Sequence, residues 1–163
     1  MVATYGRALW VGDVSFLQEL TPDILRKSAH LFDIEPKARY GFGSQGMNYE
    51  LSGSKYIRVP NEPEAIVINY FVSADQSAGA KISIANAAGQ TVRQLDGPAR
   101  KGMNRVLWPL GGAGGRGGRA GTAPSGVPAG PVAVGDYTVT VSVAGEALSK
   151  PARVRERIVS KRN

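Results

Sequence analysis

Hydrophobic and polar positions alternate with a period of two through the second half of the chain. In Gly135–Val143, Tyr137, Val139, Val141 and Val143 fall on one side, and Asp136, Thr138, Thr140 and Ser142 on the other. That is the signature of an antiparallel strand with one buried face. Ile66, Ile68, Tyr70 and Val72 alternate with Val67, Asn69 and Phe71 in a further predicted strand. Lys81–Ala85 and Thr91–Leu95 flank Asn86-Ala87-Ala88-Gly89, which predicts a β-hairpin. Asn104–Leu110 predicts a strand with Val106, Trp108 and Leu110 inward, and Ala152–Val159 closes the set after a turn at Ala144-Gly145-Glu146. Short strands at this spacing predict an immunoglobulin-like β-sandwich over residues 65–159.

The first part of the chain reads differently. Tyr5–Val11 is short, rich in aromatic residues and stopped by Gly12-Asp13, as expected of a strand. Thr21 suits a helix N-cap, with Pro22 at the first helical position and Asp23 in the first turn. Leu25, Ala29 and Phe32 then follow at helical spacing, so the helix is predicted from Pro22 to about His30. From Asp33 to Pro63, glycines interrupt the aromatic positions, which suggests a linker packed against a neighbour. The predicted organisation is therefore a leading strand over 1–20, a short helix and packed linker over 21–64, and the sandwich over 65–159. The fold class is all-β. Residues 111–130, GGAGGRGGRAGTAPSGVPAG, offer almost nothing large and apolar to offset their own ordering, and read as a mobile loop.

At 163 residues, 42% hydrophobic and 20% charged, the chain suits one domain with a core and an appendage. No run reaches the roughly 18 apolar residues of a spanning helix, so no transmembrane segment is expected. Cysteine is absent, which excludes disulfides and thiolate chemistry. Residues 1–7 lack the apolar core and cleavage site of a secretory signal. The net charge of +7 favours acidic partners, and part of it lies near the C-terminus in Lys150, Arg153, Arg155, Arg157, Lys161 and Arg162, with Glu156 among them.

Few residues suggest chemistry. Gly112, Gly114 and Gly117 form G-x-G-x-x-G, but no helix follows to receive a phosphate. Arg116 and Arg119 stand among glycines without the aromatic residues that stack on bases, which disfavours nucleic acid as a partner. His30 is the single histidine, so multi-histidine metal sites are excluded, and at a helix end it suits a C-terminal cap. Asp13, Asp23, Asp33, Glu35 and Glu50 are scattered without metal-loop spacing. No catalytic residue, metal ligand or cofactor is assigned, and the pattern leans away from an enzyme.

Two features suggest binding. Arg153, Arg155 and Arg157 alternate with Ala152 and Val154, so they project from one strand face as a cationic stripe suited to carboxylate, sulfate or phosphate. Such a stripe fits an anionic polysaccharide, but a solvated edge strand protected by charge is the favoured reading. Trp10 and Trp108 have the flat faces that stack on sugars, but Trp108 alternates with core positions, which leaves Trp10 as the candidate.

Residues 2–14, VATYGRALWVGDV, resemble the closing strand of a sortilin-type β-propeller in bacterial BNR-repeat, glycosyl-hydrolase-like secreted proteins. Leu17-Gln18-Glu19-Leu20 and Ala29-His30-Leu31-Phe32 are similar to the segment that leaves the propeller in that family. Gly102–Trp108 and Gly135–Val141 resemble the immunoglobulin-like module that ends such proteins, akin to that of flagellar hook-capping proteins. The resemblance implies that residues 1–20 are the remnant of a propeller closing strand and that the chain is the C-terminal part of a larger extracellular or periplasmic protein. Its partner would be the missing propeller or another copy of the chain. It also implies a non-catalytic accessory module for assembly or for attachment to carbohydrate or cell surface. Self-assembly through strand Thr4–Val11 and a glycoside hydrolase are the alternatives.

Overall fold

The computed structural model describes residues 2–3, 9–10, 14–39, 64–111 and 131–156. Ten strands, a 3-10 turn and one short helix are found among them. Val2–Ala3 (β1) and Leu9–Trp10 (β2) form a small antiparallel pair. Of the strand expected over Tyr5–Val11, Leu9–Trp10 is a strand, paired with Val2–Ala3 of the same chain, and the remainder lies outside the described residues. The 3-10 turn Ser15–Glu19 and the helix α1, Pro22–Leu25, follow. Thr21 caps α1 as expected, its hydroxyl accepting from the Ile24 N–H at 3.4 Å.

The helix stops far short of His30. Ala29–Leu31 is instead β3, antiparallel to β5, Ala65–Val72. Ala29 and Phe32 share a helical spacing, but Ala29 and Leu31 share a strand spacing, and both of the latter are buried. Sheet pairing buries that face against a core, which a lone exposed turn cannot do. Lys37–Arg39 (β4) then runs parallel to β10, Glu146–Glu156, pairing with Val154, Arg155 and Glu156. Part of the expected linker therefore consists of sheet strands. The two sheets take in residues 29–31 and 37–39 as well as those after 65.

The remaining strands are β6, Ala80–Asn86; β7, Thr91–Gly97; β8, Gly102–Pro109; and β9, Gly135–Val143. One sheet has the order β3-β5-β8, the other β4-β10-β9-β6-β7. The chain crosses between these two sheets after β3, β4, β5, β7 and β8, and β6 lies between β7 and β9. This is the Greek-key arrangement of an immunoglobulin-like sandwich. The chain is all-β in class, with one short helix. The hairpin β6–β7 is the one expected, and Asn86 stabilises its turn by accepting from the Ala88 and Gln90 N–H groups, each at 3.0 Å.

The core lies between the sheets. Ile66, Ile68, Tyr70, Val72 and Trp108 meet Ile82, Ile84, Val139, Val141 and Val154. The alternation in β9 is realised, with Tyr137, Val139, Val141 and Val143 buried. The Tyr137 hydroxyl donates to the Ala133 carbonyl at 2.8 Å, the corner that fastens the start of this strand in immunoglobulin-like folds. At the other end of the core, the Tyr70 hydroxyl donates to the Pro98 carbonyl, and burial pushes its pKa up to about 12. No helix among the described residues is long and apolar enough to cross a membrane.

Candidate functional site

Strand β10 alternates as predicted. Ala152 and Val154 are buried, while Arg153 and Arg155 are exposed on the opposite face. Arg153 stands in register with Asp136 of β9, and its Nε lies 3.0 Å from the Asp136 carboxylate. The cross-strand carboxylate offsets the charge of one of the two described arginines, so the stripe is weaker than its sequence suggests. Both partners are more than half exposed, which limits the pair to about 0–1 kcal/mol. Arg157 lies outside the described residues. The edge-strand expectation is corrected over Val154–Glu156, where β4 covers the open side of β10. The parallel pairing is hidden from sequence reading because Lys37-Ala38-Arg39 is three residues long with a single small apolar side chain, too little to establish a period.

Trp108 is fully buried and meets Tyr137 edge to face, with ring centroids 5.1 Å apart. That placement makes it a core residue and removes it as an exposed sugar platform. Trp10 belongs to β2 by its backbone, and its side chain is outside the described residues, as are Asp13, Glu50 and the glycine-rich residues 112–130.

His30 is not a helix cap. It projects from β3 onto the outer face of the three-stranded sheet, where the sequence from Phe16 to Phe32 folds back on itself. Its ring meets Phe32 edge to face at 4.9 Å, and Phe32 meets Phe16 at 5.7 Å. The Glu19 carboxylate accepts from the Asp33 N–H at 2.9 Å and stands 3.7 Å from His30 Nε2. Burial lowers the His30 pKa below its ordinary value, and Lys27 and Lys150 lower it further, against an opposing pull from Glu19. Arg105 of β8 donates from Nε to the Asn69 side-chain oxygen at 3.1 Å and stands 5.9 Å from the Phe16 ring centroid. The 3-10 turn is therefore seated over Asn69 and Arg105. Sequence periodicity missed this arrangement because β5 is buried on both faces, so its outer residues Asn69 and Phe71 give no outward signal.

Two further ties hold this leading segment along β10. The Ser28 hydroxyl donates to the Glu146 carboxylate, and Lys150 pairs with Asp33. Asp23 pairs locally with Arg26 at 3.0 Å. No three of His, Cys, Asp and Glu stand together in a way that could hold a metal ion among the described residues.

No protein-family model matches the chain, and no curated protein matches it either. Among solved structures it is similar to the crystal structure of CopC from Methylosinus trichosporium OB3b, with 16% identity and a TM-score of 0.30. The match covers 62% of this chain and 86% of that one.

Proposed function

We propose that this chain is a non-catalytic immunoglobulin-like module of a larger exported propeller protein, in which it serves assembly or attachment. The observation that carries the reading is the outer face of the β3-β5-β8 sheet. Met103 and Leu107 project from that face of β8 on either side of Arg105 and are 40% and 42% exposed. Val14 and Leu17, beside the Phe16 that Arg105 approaches, are 57% and 40% exposed. Apolar side chains gathered where the leading segment meets the sandwich suit a covering domain on that side. The leading segment is itself clamped from Glu19 to Lys150, so a domain attached before it would be held in a defined orientation rather than on a free tether.

The mass of the native protein in its source cells tests this reading. An immunoblot with an antibody raised against residues 65–156 is expected to show a band several times heavier than 17.2 kDa. A band at the mass of this chain alone overturns it. In that case the same exposed residues make a second copy of the chain the next partner to test.

A further inference from the structure

His30 is held where a positive charge is poorly accommodated. Its Nε2 is buried without a hydrogen-bond partner in the protein, and the nearest carboxylate oxygen, on Glu19, stands 3.7 Å away, beyond hydrogen-bond reach. Phe32 meets the ring edge to face, and Phe71 stands opposite in register on β5. Two cations act on the ring, Lys27 just before β3 and Lys150 of β10, against one carboxylate, Glu19 of the 3-10 turn. The other charged groups nearby are engaged. Asp33 pairs with Lys150, Glu146 receives the Ser28 hydroxyl, and Arg105 of β8 is bound to Asn69 beyond Phe16. One oxygen of Glu19 is itself committed to the Asp33 N–H at 2.9 Å.

The turn that brings Glu19 to this ring is lightly held. No residue of Ser15–Glu19 is buried. Its ties to the sheet include the Glu19 bond to the Asp33 N–H, the Phe16 contact with Phe32 and the approach of Arg105 to the Phe16 ring. β3 is fastened without it. The Ser73 N–H donates to the Ser28 carbonyl at 2.9 Å, the Phe32 N–H donates to the Asn69 carbonyl at 3.1 Å, and the ladder with β5 runs from Ala29 to Leu31. The turn can therefore leave while β3 stays paired, and segments with few buried contacts are where local opening costs least.

We propose that protonation of His30 releases the turn Ser15–Glu19 from the outer face of the β3-β5-β8 sheet, a pH-sensitive latch that uncovers Phe32 on the face that carries Met103 and Leu107. Burial first, then Lys27 and Lys150, outweigh Glu19 and lower the pKa of the seated ring, so the seated turn favours the neutral imidazole and the released turn the charged one. Seating is complete above the ordinary value of 6.5 and is lost as pH falls from there through the lowered folded value. A single proton is involved, so the ratio of released to seated turn changes by up to about tenfold per pH unit. The latch belongs to this chain alone and does not rest on the propeller reading.

Native-state amide exchange in the ¹⁵N-labelled full chain tests it from about pH 7.5 to about pH 5, with each rate corrected for the intrinsic pH dependence of exchange. The Asp33 amide, which Glu19 holds, should lose protection by up to about tenfold per pH unit below 6.5. At every pH it should stay less protected than the Val139 and Val141 amides of β9, which lies inside its sheet. His30→Gln should abolish this pH dependence, and Glu19→Gln should retain it. Phe16→Ala, which loosens the turn, should move the titration midpoint of His30, the single histidine, up toward 6.5. Asp33 protection that rises as pH falls would show Glu19 drawing the imidazolium in, and overturns the proposal. Protection that does not change, or Asp33 exchange no faster than that of β9, overturns it as well. So does a pH dependence that survives His30→Gln and disappears in Glu19→Gln, which would make the carboxylate the titrating group. The titration of the native sequence needs no variant, so the test stands even where a substitution unfolds the chain.

Discussion

At the scale of single residues, Gly97 shows how closely the core tolerates its neighbours. A Cβ there would lie 2.5 Å from the Tyr70 hydroxyl, 2.8 Å from Val106 Cγ2 and 2.9 Å from Ile82 Cδ1. The Tyr70 hydroxyl is held by Pro98, and the ring is fully buried, so relaxation is restricted. Gly97→Ala should therefore destabilise the fold by about 1–3 kcal/mol in urea denaturation. Tyr137→Phe removes one donor and leaves the Ala133 carbonyl without it, for an expected loss of about 1 kcal/mol. His30 supplies a prediction in pH. Its folded pKa is lowered, chiefly by burial, so protonation favours the unfolded chain. Stability is retained above the ordinary value of 6.5 and is lost as pH falls from there through the lowered folded pKa. The melting temperature should fall across that window in the native sequence and fall less in His30→Gln, as differential scanning calorimetry would show. An equal fall in both would place the effect elsewhere.

At the scale of elements, the segment from Ala29 to Arg39 decides more than its length suggests. It enters one sheet as β3 and leaves through the other as β4, so it closes both sheets on the same side. Leu31, Phe32 and Ile34 are each buried within it. At about 1.5–3 kcal/mol for each large apolar side chain, their burial is comparable to the stability of a whole domain, about 5–15 kcal/mol. A chain beginning at residue 40 is therefore expected to lose its cooperative unfolding transition, although every strand of the 65–156 region remains. A sharp thermal transition in that truncated chain would show that β3 and β4 are accessory to the sandwich. On β10, the Arg153–Asp136 pair shows how an element's neighbour changes the meaning of a charged row.

At the scale of the whole molecule, the periodic strands are legible in the amino-acid sequence by itself. β5, β6, β8 and β9 each have an alternating or continuous apolar run, β7 follows from the hairpin turn that joins it to β6, and a period of two can bury only one face unless something covers the other. The all-β class and the sandwich follow from those runs alone, because two sheets with one apolar face each must pack together. The same pattern places Tyr137, Trp108, Ala152 and Val154 in the core and Arg153 and Arg155 outside it. Only the tertiary structure decided that His30 lies on a strand, that Lys37–Arg39 pairs with β10, that Asp136 answers Arg153, and that the Trp108 indole N–H is buried without an acceptor. The reason is physical. Alternation records how each strand divides its own side chains between water and core, whereas strand partners, ion pairs and cavities depend on residues brought together from distant parts of the chain.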